Sequence, residues 1–411
     1  LGRSCKAELA SEVLTGVWAY LVGQEKAVGV LRRAAESQPG RSSHAMSHAW
    51  LITGPPGSGR SNAAKAFAAA LQCVDHGCGQ CNACRTTLSG AHPDVTLVRT
   101  EALSIGVDEV RELVRRAAMN PVHGCHQVVV VEDADRITER GADALLKAIE
   151  EPAPKTVWLL CAPTPEDVIV TIRSRCRRLH LATPRDEAVA DLLTRRDGIA
   201  PEVAAEAARA GQGHIGRARR LAWDEEARAR RNAIGELPTR LRSLGDCLQA
   251  AEDLVNQASE EAAAATAEVN AAERAELKKA LGFGSSGARP RNAQAALRDL
   301  EKQQSARLKR LQRDALDRVL TELTAYHRDV LAIQTGAVRP EEENALRGAR
   351  LVNAGWSASL HRIADSQSPE HTVATIDAIL AARKSLEHGV TPLLVMETLL
   401  IAMTGVDRAR W

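Results

Sequence analysis

Short apolar runs alternate with amphipathic segments over residues 1–182. The run at residues 127–131 is almost wholly apolar and β-branched, which is typical of a strand buried on both faces of a parallel sheet. Further strands are predicted at residues 50–52, 94–99, 156–161 and 179–181. Helical periodicity follows at residues 60–71, 107–118 and 138–150. Because strands alternate with helices, we expect an α/β domain with a parallel sheet covered on both faces.

The pattern becomes wholly helical after residue 182. Residues 183–238 contain short helices separated by proline and glycine, and we predict a small helical lid there. Residues 239–411 are predicted to form an all-helical domain. Within it, residues 252–320 place an Ala/Glu-rich segment and a Leu-rich segment on either side of a Gly/Ser linker at 282–287. This arrangement indicates an inserted antiparallel helical hairpin; the alternative is a partly disordered, charged insertion.

Composition and charge bear on whether the protein binds nucleic acid, spans a membrane or is secreted. The net charge of +2, from 54 basic and 52 acidic residues, is too balanced to indicate nucleic-acid binding by itself. No apolar run approaches the ~18 residues of a membrane span. The first dozen residues lack an apolar signal-peptide core and are expected to form a disordered tail. The chain starts at Leu1, so we expect a truncated, tagged or misassigned start. We expect a cytoplasmic protein that does not bind membranes.

A glycine-rich loop joins the first predicted strand to an alanine-rich helix. Its residues are Gly54, Pro55, Pro56, Gly57, Ser58, Gly59, Arg60 and Ser61. Consecutive backbone N–H groups in such a loop, together with the helix N-terminus, form a binding site for phosphate. The phosphate-loop pattern G-x-x-x-x-G-K-[ST] is matched except at one position, where Arg60 replaces the lysine. The sequence therefore predicts a degenerate nucleotide site.

Two acidic residues follow the strand at residues 127–131. Glu132 and Asp133 stand at its carboxyl end. A phosphate-loop enzyme uses acidic residues in this position to hold Mg²⁺ and polarise water. We therefore include both residues in the candidate nucleotide site.

Four cysteines follow the loop helix in a module spanning residues 73–84. Their spacing is Cys73-x4-Cys78-x2-Cys81-x2-Cys84. Two adjoining C-x2-C steps suit tetrahedral zinc, and four thiolates leave no open position for catalysis. Nine cysteines without a signal peptide also favour a reducing compartment and metal over disulfides. We predict structural Zn²⁺; the alternatives are a metal-free reduced loop and a zinc knuckle that touches DNA.

Several motifs in combination resemble the delta-prime subunits of the bacterial DNA polymerase III clamp loader, which are AAA+ proteins. The resemblance covers most of the chain outside the first dozen residues and the hairpin. It is carried by the glycine loop, the four-cysteine module and residues 21–24, 92–94, 144–152, 172–176 and 382–400. It implies a RecA-like AAA+ module, a helical lid and a helical collar that joins a five-subunit ring.

The resemblance also implies a role within that ring. The motor subunits, gamma and tau, carry lysine in the loop and an Asp–Glu pair, whereas this chain has Arg60 and the order Glu132–Asp133. Arginine is a planar fork rather than a compact point charge. We therefore expect weak ATP or ADP binding without hydrolysis, and no polymerase site, in a component of the DNA polymerase III holoenzyme.

The segment Ser174-Arg175-Cys176 matches the family's Ser-Arg-Cys signature. The resemblance makes Arg175 an arginine finger that acts in trans on a neighbour's ATP. The alternative is that it belongs to a solvated basic cluster with nearby arginines. Expected partners are gamma/tau and delta, and, through the complex, the sliding clamp and primer–template DNA. Two other functions stay open: an ATP-hydrolysing gamma/tau-type motor, and a zinc-dependent nucleic-acid-binding protein.

Overall fold

The computed structural model describes residues 14–37, 46–100, 104–282, 293–338 and 351–404. The chain divides into two compact units between Trp223 and Asp224. The predicted N-terminal tail and residues 283–287 of the predicted linker lie outside the described residues. The three-domain division, with boundaries at 182 and 238, stays a prediction. In the part of the chain described, no helix is long and apolar enough to cross a lipid bilayer.

The first unit is built on five parallel strands. They are β1 (Ala49–Thr53), β2 (Val95–Val98), β3 (Gln127–Val131), β4 (Thr156–Ala162) and β5 (Arg177–His180). Their order in the sheet is β2-β3-β4-β1-β5. Every pair is parallel, with Leu51 beside Leu160 and Val130 beside Leu159. The predicted parallel α/β core is confirmed.

Nine helices are described in this unit. They are α1 (Glu25–Ala35), α2 (Arg60–Gln72), α3 (Asn82–Ser89), α4 (Val107–Ala117), α5 (Glu139–Glu150), α6 (Val170–Arg173), α7 (Asp186–Asp197), α8 (Pro201–Gly211) and α9 (Ile215–Trp223). The three inner strands are buried along their whole length. Their alternate side chains therefore pack into two separate cores, one with α1 and α2 and the other with α4 and α5.

The face that carries α2 is closely packed. Six alanines of this helix are fully buried, and the Phe67 ring meets Trp50 of β1 edge-on at 5.2 Å between centroids. Small side chains let the helix approach the strands, and the aromatic pair fills the remaining space. This packing fixes the N-terminus of α2 at the carboxyl end of β1.

The second unit is wholly helical in its described residues. Its helices are α10 (Glu225–Arg240), α11 (Leu244–Ala280), α12 (Ala293–Gln334), α13 (Ser357–Ser366), α14 (Pro369–Glu387) and α15 (Pro392–Thr404). The two long helices α11 and α12 lie antiparallel. Glu261 pairs with Arg318 at 2.8 Å, and Glu273 pairs with Arg307 at 2.7 Å. The extent of the hairpin insertion, 252–320, stays a prediction, because both helices continue beyond it.

Asp94 holds the segment that leads into β3. Its carboxylate is 1% exposed and accepts hydrogen bonds from the backbone N–H groups of Val122 (2.7 Å), His123 (2.7 Å) and Gly124 (2.6 Å). Burial alone would raise the pKa of Asp94, but the three N–H donors and the nearby His92 bring that pKa below its usual value. The charged carboxylate therefore stabilises the fold.

We expect Asp94→Asn to lower the free energy of unfolding by about 2–3 kcal/mol at neutral pH, because the neutral amide cannot satisfy three donors. The pKa of Asp94 is depressed in the folded state. Its contribution is therefore complete above the unfolded pKa of about 4 and is lost as the pH falls through the folded value. Denaturant unfolding across this pH range measures the difference between the two proteins.

The control is Asp143→Asn, a change of the same kind at an exposed position on α5. It should leave stability nearly unchanged at every pH. A gap between wild type and Asp94→Asn that stays constant from pH 7 to below pH 3 would contradict the assignment.

Candidate functional site

The glycine loop has a left-handed backbone, which favours glycine, at Gly57 and Gly59. Gly57 and Gly59 have φ angles of 84° and 93°, and Gly59 is the N-cap of α2. The N–H of Ser58 donates to the Pro55 carbonyl at 3.1 Å, which closes a tight turn. The remaining N–H groups at the start of α2 are available to an anion, as expected for a helix N-terminus.

His214 lies directly against the loop. A β-carbon built on Gly57 would stand 2.2 Å from the His214 ring, so no side chain fits between them. Burial, and then the charge of Arg217, lower the pKa of His214, which favours the neutral ring. The turn before α9 therefore covers one side of the glycine loop within the same compact unit.

A cavity of about 530 Å³ adjoins the loop. Basic side chains line part of it, namely Arg60, Lys65, Arg196 and Arg219. Apolar side chains also line it, namely Val17, Leu88, Leu192 and Ile215, together with the Tyr20 ring. This volume is typical of small-molecule sites. A ligand with an anionic end and a flat apolar end would match the lining.

Lys65 forms the central ion pair of the site. Its Nζ lies 2.7 Å from Oε1 of Glu132, and both side chains are largely shielded, at 27% and 11% exposure. Ser61 and Lys65 are four residues apart in α2 and so share one face of the helix. The acidic residue at the end of β3 is therefore engaged by a cation from the loop helix.

Arg60 stands where the phosphate-loop pattern has lysine. Its Nη1 is buried and has no hydrogen-bond partner among the described residues. The charge of Arg60 also reaches Asp135. Burial raises the pKa of Asp135, and the charges of Arg136 and Arg60 oppose that rise. A shielded guanidinium with an unused donor is costly to maintain, so an anion near the loop would be stabilised by it.

The four predicted cysteines form a cluster. All four Sγ atoms lie within 4.8 Å of one another, and Cys73 Sγ is 3.7 Å from Cys78 Sγ and 3.6 Å from Cys81 Sγ. Tetrahedral zinc with bonds of ~2.3 Å requires sulfur separations of about 3.8 Å. The backbone N–H groups of Cys81 and Cys84 donate to Cys78 Sγ and Cys81 Sγ, each at 3.4 Å. The donor set therefore fits zinc.

Arg175 lies apart from the cavity, immediately after α6. Its guanidinium pairs with Glu150 at 2.5 Å and donates to the Thr171 carbonyl at 2.9 Å. Ser174 is exposed beside it, while Cys176 is buried and burial raises the pKa of its thiol to about 12. The structure thus presents Arg175 on the surface, tied to its own chain.

Several residues that line the cavity were not predicted from the sequence. Among them are Lys65, His214 and Arg219, the last paired with Asp197 at 2.7 Å. Only Lys65 left a local signal, the four-residue spacing from Ser61. Gly216 of α9 also lines the cavity.

Part of the chain is similar to known proteins. Residues 23–185 match the family described as DNA polymerase III, delta subunit. The chain is 36% identical over 156 residues to DNA polymerase III subunit delta′ of Haemophilus influenzae (37% of this chain, 48% of the relative). It is 33% identical over 202 residues to the Escherichia coli delta′ subunit (48% and 59%). It is also 35% identical over 175 residues to the gamma/tau subunit of Mycobacterium tuberculosis (41% and 29%). The chain spans about half the length of the delta′ relatives it matches.

We expect Gly57→Ala to lower the free energy of unfolding by more than about 2 kcal/mol, since it combines a left-handed backbone with a steric overlap against His214. The melting temperature measures the effect. Gly29→Ala in α1 is the matched control, because an added β-carbon there meets only the end of Arg33 at 3.5 Å. It should stabilise the helix by about 0.5–1 kcal/mol. Equal melting temperatures for the two variants would contradict the close approach of His214.

Proposed function

We propose that this chain, whose residues 23–185 match the family described as DNA polymerase III, delta subunit, is a delta-prime-type subunit that completes the clamp-loader ring without hydrolysing ATP. The observation that carries the proposal is the Lys65–Glu132 ion pair beside Arg60, in a loop whose backbone still suits phosphate. In this role the chain holds the ring geometry while neighbouring subunits supply hydrolysis. The assembled ring opens a sliding clamp and places it on primed DNA.

The loss of hydrolysis follows from the charges at the site. A motor needs a compact lysine on the phosphates and free acidic groups for Mg²⁺ and water. Here Arg60 replaces the lysine, Lys65 neutralises Glu132, and Asp133 is one methylene shorter than the glutamate expected at its position. Placement errors near 1 Å can cost ~10²-fold in rate. Three changes at one site support a subunit that does not turn nucleotide over.

Arg175 is proposed to act on the ATP of a neighbouring subunit. Phosphoryl transfer spreads negative charge over three oxygens, and a fixed guanidinium can stabilise that charge by roughly 10³–10⁵ in rate. The exposure of Arg175 and its surface pair with Glu150 support this role, because a surface ion pair is weak enough to exchange for a phosphate.

The proposed partners follow from the same family. Gamma/tau and delta subunits would complete the ring, and clamp and primer–template DNA would bind the assembly. The region matched to delta-prime relatives also matches a gamma/tau subunit, which supports a shared subunit architecture. The helical second unit would serve as the collar that holds the subunits together.

Zinc is proposed to hold the segment between α2 and α3 through Cys73, Cys78, Cys81 and Cys84. Its contribution would be structural, since four thiolates complete the coordination shell. The N–H of Val17 donates to the Gly77 carbonyl at 3.1 Å, so the module also supports the 3₁₀ helix (Gly16–Trp18) that borders the cavity.

Cys78→Ser should release about one zinc ion per chain and lower the melting temperature, because a hydroxyl is a far poorer zinc ligand than a thiolate. Metal analysis and thermal unfolding of protein purified without chelator give the two values. Cys125→Ser, at an exposed cysteine outside the cluster, is the control and should keep the metal. Metal-free wild-type protein would refute the proposal.

Arg175→Ala should leave assembly with the other loader subunits intact and reduce DNA- and clamp-stimulated ATP hydrolysis by the complex. The loss should be partial, because only one of several motor sites faces this subunit. Gel filtration measures assembly, and phosphate release measures turnover.

The matched control is Arg178→Ala, an exposed arginine on β5 three residues away. It should leave turnover unchanged. Equal losses from the two variants would identify a general basic surface instead of a finger. Failure of the wild-type chain to join the loader would contradict the proposed function itself.

A further inference from the structure

We propose that the cavity beside the glycine loop binds a nucleoside diphosphate or triphosphate without Mg²⁺, because the Lys65 ammonium takes the position of the metal at Glu132 and supplies a positive charge there. The inference deepens the proposed function and rests on it only in taking this cavity as the degenerate nucleotide site. It names the ligand form that the site selects, the metal-free nucleotide.

Mg²⁺ does not fit the side chains present. In phosphate-loop proteins the metal is held by the hydroxyl that follows the lysine and by an acidic residue at a strand end. The corresponding residues here are Ser61 and Glu132. Lys65 lies on the same face of α2 as Ser61, and helical side chains lean towards the N-terminus of their helix. Its ammonium group sits 2.7 Å from the carboxylate that the metal would need.

Electrostatic repulsion explains why Mg²⁺ and the Lys65 ammonium cannot both bind Glu132. A divalent ion bound to Glu132 would lie next to the Lys65 ammonium in a shielded environment, where like charges repel strongly. Mg²⁺ also requires near-ideal octahedral oxygen ligands at ~2.1 Å, which a carboxylate already bound to an ammonium cannot readily supply. Lys65 would have to leave before the metal could enter.

Phosphate can still bind without the metal. Glu132 takes one of the three N–H donors of the Lys65 ammonium, and the side chain lines the cavity at 27% exposure. The buried Nη1 of Arg60 has no acceptor among the described residues, although Arg60 also lines the cavity. The cavity is therefore lined by two cationic side chains and by the first residues of α2, whose N–H groups suit an anion.

The remaining lining favours a nucleotide over free phosphate. Val17, Leu192 and Ile215 give the cavity an apolar part, and the Tyr20 ring lies beneath the Arg196 guanidinium at 4.5 Å. A flat aromatic base can pack against such a surface. The volume of about 530 Å³ is also far larger than one phosphate needs.

The experiment titrates the full chain with ADP, ATP and inorganic phosphate by calorimetry, once with Mg²⁺ and once with EDTA. Both nucleotides should bind at least as tightly in EDTA as in Mg²⁺. Tighter binding in the presence of Mg²⁺ would overturn the inference. Absence of ADP and ATP binding in both conditions would also overturn it, and inorganic phosphate binding alone would show that the site takes an anion but no nucleotide.

Two variants at the Lys65–Glu132 ion pair should change the affinity for ADP in opposite directions. Lys65→Met should weaken ADP binding in EDTA by ~10–100-fold, the value of one charge-assisted hydrogen bond. Added Mg²⁺ should then restore part of the affinity, because Glu132 is free. Glu132→Gln should tighten binding in EDTA, whereas the same change would weaken binding at a true magnesium site. Lys147→Met, at an exposed position on α5, is the matched control and should change nothing.

The proposed function is measured separately in the same samples. Gel filtration with the other loader subunits reports assembly, and circular dichroism confirms that each variant is folded. A chain that assembles but needs Mg²⁺ for ADP contradicts this inference alone. If Lys65→Met does not fold, the sign of the Glu132→Gln effect still decides the matter.

Discussion

The parallel register of the five strands decides where every candidate functional side chain lies. Because all carboxyl ends meet at one edge, the glycine loop after β1 and Glu132 after β3 come to the same side with β4 between them. Lys65 spans that gap from α2. The helix packs closely, because six of its nine buried residues are alanine. The site is therefore a consequence of sheet order and helix packing together.

The backbone of the glycine loop and the side chains around it suit different functions. The loop keeps the left-handed glycines and the free helix N-terminus that suit phosphate. The side chains around it are those of a site that supplies its own cation and leaves no free carboxylate at Glu132. Such a site can hold nucleotide as a fixed structural element, which agrees with the proposed role of a subunit that does not hydrolyse ATP.

The sequence was sufficient for features that depend on local pattern. The β-branched run of β3, the spacing of the four cysteines and the glycine loop are each encoded in a few consecutive residues, and the sheet and the cysteine cluster are confirmed. Contacts between distant segments carry no such signal. The approach of His214 to Gly57 joins residues 157 positions apart, and the pair of Arg175 with Glu150 depends on how α6 packs beside α5. Lys65 combines both kinds of feature. Its spacing from Ser61 can be read from the sequence, but its pairing with Glu132 cannot.

The central claim, that Lys65 replaces the metal, is tested most directly by electron paramagnetic resonance of Mn²⁺ in a solution of Mn²⁺ and ADP. Free aqueous Mn²⁺ gives a sharp signal, and the ion bound to ADP does not. If the chain selects metal-free ADP, adding the protein should remove ADP from its complex with Mn²⁺. The signal of free Mn²⁺ should then rise. A fall in that signal, reversed by Glu132→Gln, would show Mn²⁺ bound at Glu132 and would contradict the account.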